Sequence, residues 1–99
     1  MATLSDEQIH SSLESLDGWG YDGSVVSKEF KRPSFGDAVS LVVRVAFVAE
    51  AADHHPDIDI RYNVVRFALA THSQGGVTAR DIELAAEIEL LCSPKAESR

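Results

Sequence analysis

Residues 35–53 form an apolar segment that limits the folds open to this chain. It is apolar nearly all the way round, with Ser40 and Arg44 as the main exceptions. Its valines would suit a buried strand, but nineteen residues are too many for one strand. Its most apolar part, residues 38–52, is shorter than a membrane span and carries Arg44 and Glu50. We therefore predict a helix that packs on a sheet on one side and is covered on the other, most simply by another subunit.

The chain length and charge restrict the class of protein. Ninety-nine residues predict a single domain, residues 1–99, whose polar end at residues 93–99 frays. The proportions of hydrophobic (44%) and charged (25%) residues are those of a globular protein. The net charge of −7 argues against a nucleic-acid surface, because phosphate binding needs clustered Lys and Arg.

The cellular setting is predicted from the cysteine count and the first residues. Cys92 is the only cysteine, which excludes an intrachain disulfide and a paired-cysteine metal motif. The first seven residues contain neither a basic nor an apolar signal region, so no secretory signal is expected there. These features predict a cytoplasmic protein that makes no contact with a membrane.

The segments before the long helix carry their own signals. Ser5 and Gln8 form a capping box, which predicts a first helix ending near residues 17–18. Residues 19–21 and 24–32 are predicted to form two strands around an Asp-Gly turn.

The second half predicts two more strands and a third helix. Residues 58–62 alternate apolar and charged, and residues 65–71 alternate in the opposite phase. The phase change at residues 63–64 requires a turn or a bulge, which leaves two strands or one bent strand. Thr78 and Asp81 form a further capping signal. The order αββαββα predicts an α+β fold with two layers, in which a four-stranded antiparallel sheet carries the helices on one face.

Two adjacent histidines mark the end of the long helix. Pro56 disfavours the helical conformation at His55, so His54 should lie at the helix end. Glu50, four residues earlier on the same helical face, is placed to hydrogen-bond His54. His72 is predicted at the end of the last strand beside a glycine loop, where reactive side chains commonly project. Imidazoles at these positions suit acid–base chemistry near neutral pH, although a helix end and a surface turn also explain them.

A metal site is the weaker interpretation of these residues. Neighbouring side chains on a helix point about 100° apart, so His54 and His55 cannot easily share one ion. Zinc motifs space their histidines three to five residues apart. Asp53, Asp57 and His72 could join His54, but their spacing gives no specific support, and we predict no metal.

The spacing of seven residues resembles the signature of the pterin-4a-carbinolamine dehydratases. The seven are Glu50, His54, His55, Pro56, Tyr62, His72 and Asp81. Further positions at which that family has similar residues are Gly18-Trp19, Phe30, Phe35, Arg44-Val45-Ala46, Asn63-Val64, Leu69-Ala70-Thr71-His72 and Arg80-Asp81-Ile82. The resemblance extends over nearly the whole chain.

The resemblance implies a hydro-lyase that dehydrates 4a-hydroxytetrahydrobiopterin to quinonoid dihydropterin and so recycles the pterin. It implies no metal or organic cofactor and a homodimer or homotetramer. His54 and His72 would supply the acid and the base, in an order that the residues leave open, and His55 would bind the pterin and assist. The positions matching the family's substrate site are Asp53, His54, His55, Ala70, Thr71, His72 and Ser73. The supporting positions are Glu50, Asp81 and Trp19.

Some of these residues have a simpler role. Glu50 is also explained as a solvated helix residue, Asp81 as a helix cap, and Trp19 as a core or rim residue. Tyr62 is predicted to pack rather than to bind.

The chain departs from the family pattern at two places. Residues 73–74 are Ser-Gln where many relatives have Glu, and residues 57–61 are more acidic and less aromatic than is usual. Both departures bear on affinity and substrate choice more than on activity.

Two other functions remain open. One is a non-catalytic binding module of the same fold, either a dimerisation coactivator or an assembly chaperone. A chaperone would be expected to have lost one or more of the three histidines, all of which this chain keeps. The other is a histidine-based metal-binding domain.

Overall fold

The computed structural model describes residues 2–92, which form three helices and one antiparallel sheet. In chain order the elements are α1 (Asp6–Leu13), β1 (Gly20–Tyr21), β2 (Val26–Lys31), α2 (Phe35–Ala52), β3 (Asp57–Arg61), β4 (Val64–Leu69) and α3 (Ala79–Cys92). A short 3-10 helix, His72–Gln74, lies between β4 and α3. This confirms the predicted α+β class and element order. The polar end predicted to fray, residues 93–99, lies outside the described residues.

The four strands lie in the order β1-β2-β4-β3. Val26 pairs with Leu69 and Lys31 with Val64, while β3 pairs with β4 from Asp57 opposite Ala68 to Arg61 opposite Val64. Because side chains alternate along a strand, this register places one apolar set on a single face. The buried members of that set are Val26, Phe30, Val65, Phe67 and Leu69.

The helices cover this apolar face. From α2 the buried residues are Ala38, Leu41, Val45 and Ala49, spaced three or four apart as one helical stripe requires. From α3 the buried apolar residues are Leu84, Ala85 and Ile88. On the far side of α2, Val43 and Phe47 are 48% and 74% exposed. Among residues 2–92 the long helix is therefore covered on one side only, and a second subunit on the other side stays a prediction.

The first half of the chain differs from the prediction in its boundaries. Helix α1 ends at Leu13, because the next turns form 3-10-type bonds such as Leu16 N–H to the Leu13 carbonyl (3.0 Å). Strand β2 begins only at Val26. The Asp22 carboxylate accepts hydrogen bonds from the backbone N–H groups of Ser24 (2.8 Å) and Val25 (2.9 Å), which keeps those residues in the turn.

The phase change at residues 63–64 is a two-residue turn between two strands. Arg61 pairs with Val64, and Tyr62 takes a left-handed conformation with φ of 53°. Tyr62 is 72% exposed, so the prediction that it packs is wrong among the described residues. Strand β4 also ends earlier than predicted, at Leu69, and Thr71 forms only an isolated bridge with Gly76.

Candidate active site

The end of α2 decides where its two histidines lie. Asp53 has left-handed backbone angles (φ 52°, ψ 44°). Its N–H donates to the Glu50 carbonyl at 3.1 Å, and the His54 N–H donates to the Ala49 carbonyl at 3.0 Å. These bonds form a Schellman ending with aspartate where glycine is usual. The helix therefore reverses at Asp53, before the restriction imposed by Pro56 acts.

The reversal buries His54 against α3. Its side chain Nε2 lies 2.5 Å from Oδ1 of Asp81, and Asp81 has no exposed surface. The other carboxylate oxygen of Asp81 accepts from the Thr71 hydroxyl and from the Thr78 backbone N–H, both at 2.8 Å. Asp81 therefore caps α3, as its sequence position also predicted, and orients the His54 ring. Its supporting role at a substrate site stays a prediction.

The same carboxylate fixes the segment that carries His72. The Thr71 hydroxyl gives its single proton to Asp81, so in the 2.8 Å contact with Thr78 it is the Thr78 hydroxyl that donates. The Thr71 N–H donates to the Gly76 carbonyl at 2.8 Å, which closes the loop on itself. His72 follows directly, exposed, as the first residue of the 3-10 helix. Asp81 thus links His54 to the base of the His72 loop.

His55 faces solvent and pairs with Glu50. Its Nε2 lies 2.9 Å from Oε1 of Glu50, and the two side chains are 58% and 79% exposed. The expectation that Glu50 bonds His54 is therefore wrong. The left-handed turn at Asp53 directs His54 toward Asp81 and leaves His55 above the last turn of α2.

Arg80 closes the carbonyl end of α2. Its Nη2 donates to the carbonyls of Ala52 at 2.9 Å and Asp53 at 2.8 Å. The last turn of α2 contains no basic residue of its own. The positive charge that favours a helix C-terminus is therefore supplied by α3.

The two proposed acid–base histidines line different cavities. His54 lines a cavity of about 760 Å³ between α2 and α3, together with Arg80. His72 and Ala70 line a second cavity of about 450 Å³, which Tyr21 also lines.

Tyr21 has a raised pKa. The causes are loss of solvation and then the Asp6 carboxylate, to which the Tyr21 hydroxyl donates, so this hydroxyl stays protonated near neutral pH.

The remaining predicted binding residues lie beside these cavities or on the same loops. Asp53 is exposed at the reversal, and Ser73 is exposed in the 3-10 helix. Ala70 is half-buried and Thr71 is buried. Asp53 precedes β3, whereas Ala70, Thr71 and Ser73 follow β4. The start of β3 lies beside the end of β4, with Asp57 opposite Ala68, so these residues lie at the same end of the two strands.

Trp19 belongs to a different cluster. Its ring is 6% exposed and packs edge-on against Phe30, and its Nε1 donates to Glu89 at 2.8 Å. Glu89 lies eight residues after Asp81 on α3, which is about 12 Å along the helix axis. The structure therefore places Trp19 in the core and does not join it to the histidine network.

Sequence reasoning did not identify the site roles of Thr78 and Arg80. Thr78 was recognised only as a capping residue. A cation in the first turn of a helix opposes the helix dipole, and this signal could have marked Arg80.

Two kinds of feature are absent from residues 2–92. Within this range, no group of three or more His, Cys, Asp or Glu side chains is arranged to hold a metal ion. Of the helices in the same range, none is both long and apolar enough to span a membrane.

Comparison with known proteins places the chain in a family. Residues 2–91 match the family model described as pterin 4 alpha carbinolamine dehydratase. A relative from Mycobacterium avium (strain 104) that carries the family's name is 51% identical over 88 residues, or 89% of this chain and 94% of the relative. One from Nocardia farcinica with the same name is 52% identical over 88 residues, or 89% and 93%.

A solved structure shares the fold. The crystal structure of a transcriptional coactivator/pterin dehydratase from Brucella melitensis superimposes with a TM-score of 0.87 at 35% sequence identity. The match covers 92% of this chain and 99% of that one. Sequence, fold and the spacing of the histidines agree, and the chain belongs to the pterin 4 alpha carbinolamine dehydratase family.

Proposed function

We propose that this chain dehydrates 4a-hydroxytetrahydrobiopterin to quinonoid dihydropterin and so recycles the pterin. The proton on N5 leaves, a double bond forms between N5 and C4a, and the C4a–oxygen bond breaks as the hydroxyl is protonated and departs as water. The reaction needs one base and one acid. The observation that carries the proposal is the buried Asp81, which orients the His54 ring and fixes the loop that bears His72.

His54 is the proposed base. We propose that Nε2 of His54 donates to Asp81, because Asp81 also accepts from the Thr71 hydroxyl and the Thr78 N–H. In the neutral ring the other nitrogen, Nδ1, then carries the lone pair that can accept the N5 proton. The backbone bond of His54 to Ala49 and its ring bond to Asp81 hold that nitrogen in one orientation.

His72 is the proposed acid. Its ring is exposed on a short loop whose base Thr71 fixes, and we propose that it reaches the departing hydroxyl from there. His55, held by Glu50, is proposed to bind the pterin. Asp53, Ala70, Thr71 and Ser73 are proposed to contribute mainly backbone groups. All participating groups belong to the chain, which we propose acts without a metal or organic cofactor.

Removing either proposed catalytic histidine should slow the dehydration. We expect wild type to accelerate the loss of water from 4a-hydroxytetrahydrobiopterin, followed by ultraviolet absorbance. His54→Ala and His72→Ala should each lower kcat about a hundredfold, the effect of removing a general acid or base. His10→Ala is the matched control, because His10 lies exposed on α1 against Tyr21. A folded wild type that does no better than buffer contradicts the proposal.

The pH profile of kcat separates the two roles. A base must be deprotonated to act and an acid protonated, so His54→Ala should remove the fall of kcat at low pH. His72→Ala should remove the fall at high pH. The reverse pattern would exchange the two assignments while leaving the dehydratase proposal intact.

A second candidate function is protein binding in the cytoplasm. The similar protein from Brucella melitensis is named a transcriptional coactivator as well as a pterin dehydratase.

Exposed apolar residues on the helices bear on self-association. They are Val43 and Phe47 of α2 and Leu90 of α3. We propose that they support association into a homodimer or homotetramer. Sedimentation of Phe47→Ser should then show a smaller species than wild type, and an unchanged mass would count against it.

A further inference from the structure

Arg80 stands where helix electrostatics disfavour a cation. The N-terminus of a helix carries a partial positive charge, so the first turn favours acidic residues. In α3 that turn contains Asp81 and, directly before it, Arg80. A local preference that is set aside in this way points to a tertiary role. The contacts of Arg80 reach the end of α2, where its side chain donates to the Ala52 and Asp53 carbonyls.

The Asp53 carbonyl, to which Arg80 donates, belongs to the peptide group that joins Asp53 to His54. The peptide group is planar, so fixing its oxygen also fixes the N–H on its other side. That N–H is the His54 donor to Ala49. Arg80 and α2 therefore hold the two edges of the same peptide plane, while Asp81 holds the ring.

The conformation held in this way is not one that aspartate adopts freely. Residues other than glycine meet steric hindrance between Cβ and the backbone in the left-handed region. Asp53 takes that conformation at the reversal that directs His54 inward and His55 outward. Contacts that lower its energy therefore also determine where both histidines lie.

We propose that Arg80 is a positioning residue for the histidine pair, acting through the Asp53–His54 peptide. The proposal rests on the proposed function where it concerns catalysis. As a positioning residue, Arg80 affects the rate of the bound complex more than the affinity for substrate. Arg80 also lines the cavity between α2 and α3, so a direct contact with substrate is the competing role, and that would act on KM.

The experiment compares Arg80→Met with Arg80→Lys and with Arg61→Met. Arg61 is an exposed residue of β3 paired with Asp59, so its replacement removes the same charge away from α2. We expect Arg80→Met to lower kcat about tenfold, as for a small misplacement of a catalytic group, with KM changed less than about twofold. Arg80→Lys should recover part of the loss, because an ammonium group can still donate to these carbonyls. Arg61→Met should match wild type.

A second measurement does not depend on the enzymatic activity of the protein. Amide hydrogen exchange at His54 should become about tenfold faster in Arg80→Met relative to a core amide such as that of Val65. It should stay unchanged in Arg61→Met. If Arg80→Met does not fold, Arg80→Lys carries both measurements, with intermediate changes expected.

Either of two results overturns the proposal. One is unchanged exchange at His54, and the other is a rise in KM with kcat intact. If wild type itself proves inactive, the dehydratase proposal fails, but the exchange measurement still decides whether Arg80 holds the Asp53–His54 peptide.

Discussion

Two carboxylates of α3, one near each end of the helix, contact other elements of the molecule, and they differ in burial and in their partners. Near the start, Asp81 is fully buried and joins His54 and Thr71. Near the end, the Glu89 side chain is 30% exposed and accepts from Lys28 at 2.6 Å and from Trp19 at 2.8 Å. The more deeply buried carboxylate is the one that contacts the predicted site residues His54 and Thr71.

The residues that contact Glu89 and Asp81 explain the difference between the two carboxylates. Lys28 points inward from β2, passes over the Phe30 ring at 4.8 Å and also donates to the Asp17 carbonyl at 2.7 Å. Gly18 allows this approach, since a Cβ there would lie 2.8 Å from Cε of Lys28. The polar groups of Lys28, Glu89 and Trp19 therefore contact one another at the edge of the hydrophobic core. The partners of Asp81 instead come from chain segments at the end of the sheet, and only one nitrogen of the His54 ring contacts Asp81. The other nitrogen is the proposed base.

The largest expected effect is at Asp81. Asp81→Ala removes the buried acceptor that the Thr71 hydroxyl, the Thr78 N–H and the His54 ring share. We expect the free energy of unfolding to fall by about 3 kcal/mol, measured by urea denaturation, and kcat to fall with it. A loss no larger than that of Glu89→Ala would remove the distinction between the two ends of α3.

Thr71 should show a smaller effect confined to the same end. Thr71→Val removes the hydrogen bonds to Asp81 and Thr78 while keeping the shape of the side chain. We expect a loss of about 1–2 kcal/mol in unfolding free energy and a lower kcat, because the base of the His72 loop is released. Thr71→Ser keeps the hydroxyl and is the matched control. Equal effects from both variants would show that packing, and not the hydroxyl, matters there.

The smallest effect is expected at Glu89. Glu89→Gln removes the charge but keeps an oxygen that can accept from Trp19 or Lys28. Because the pair with Lys28 is partly solvated and screened, we expect a loss of about 0.5–1 kcal/mol that shrinks as salt is added. The dehydration rate should not change. A drop in kcat at constant stability would show that this cluster also communicates with the site.

Much of the fold could be predicted from local signals. The capping box of Ser5 and Gln8 starts α1 in the structure, and both of its hydrogen bonds form. The alternation of residues 58–62 and 65–71 predicted extended segments with a turn or a bulge between them, and the structure shows the two strands β3 and β4 with a turn. These signals depend on neighbours within a few residues, so the sequence displays them directly.

Partner choice at the candidate site was less predictable. Spacing alone paired Glu50 with His54, whereas the structure pairs Glu50 with His55 and His54 with Asp81. The reason is the left-handed conformation of Asp53, which glycine would have signalled and aspartate does not.

The order of the elements, the position of two histidines at the end of α2, and the family pattern that connects them with His72 and Asp81 all follow from the amino-acid sequence alone. Three features emerge only in the folded chain: which histidine is buried, the sharing of one carboxylate by His54 and Thr71, and the completion of α2 by Arg80 of α3. The physical reason is that helix and turn preferences act over a few residues. A hydrogen bond between residues 54 and 81 exists only after the sheet has brought two distant segments to the same edge.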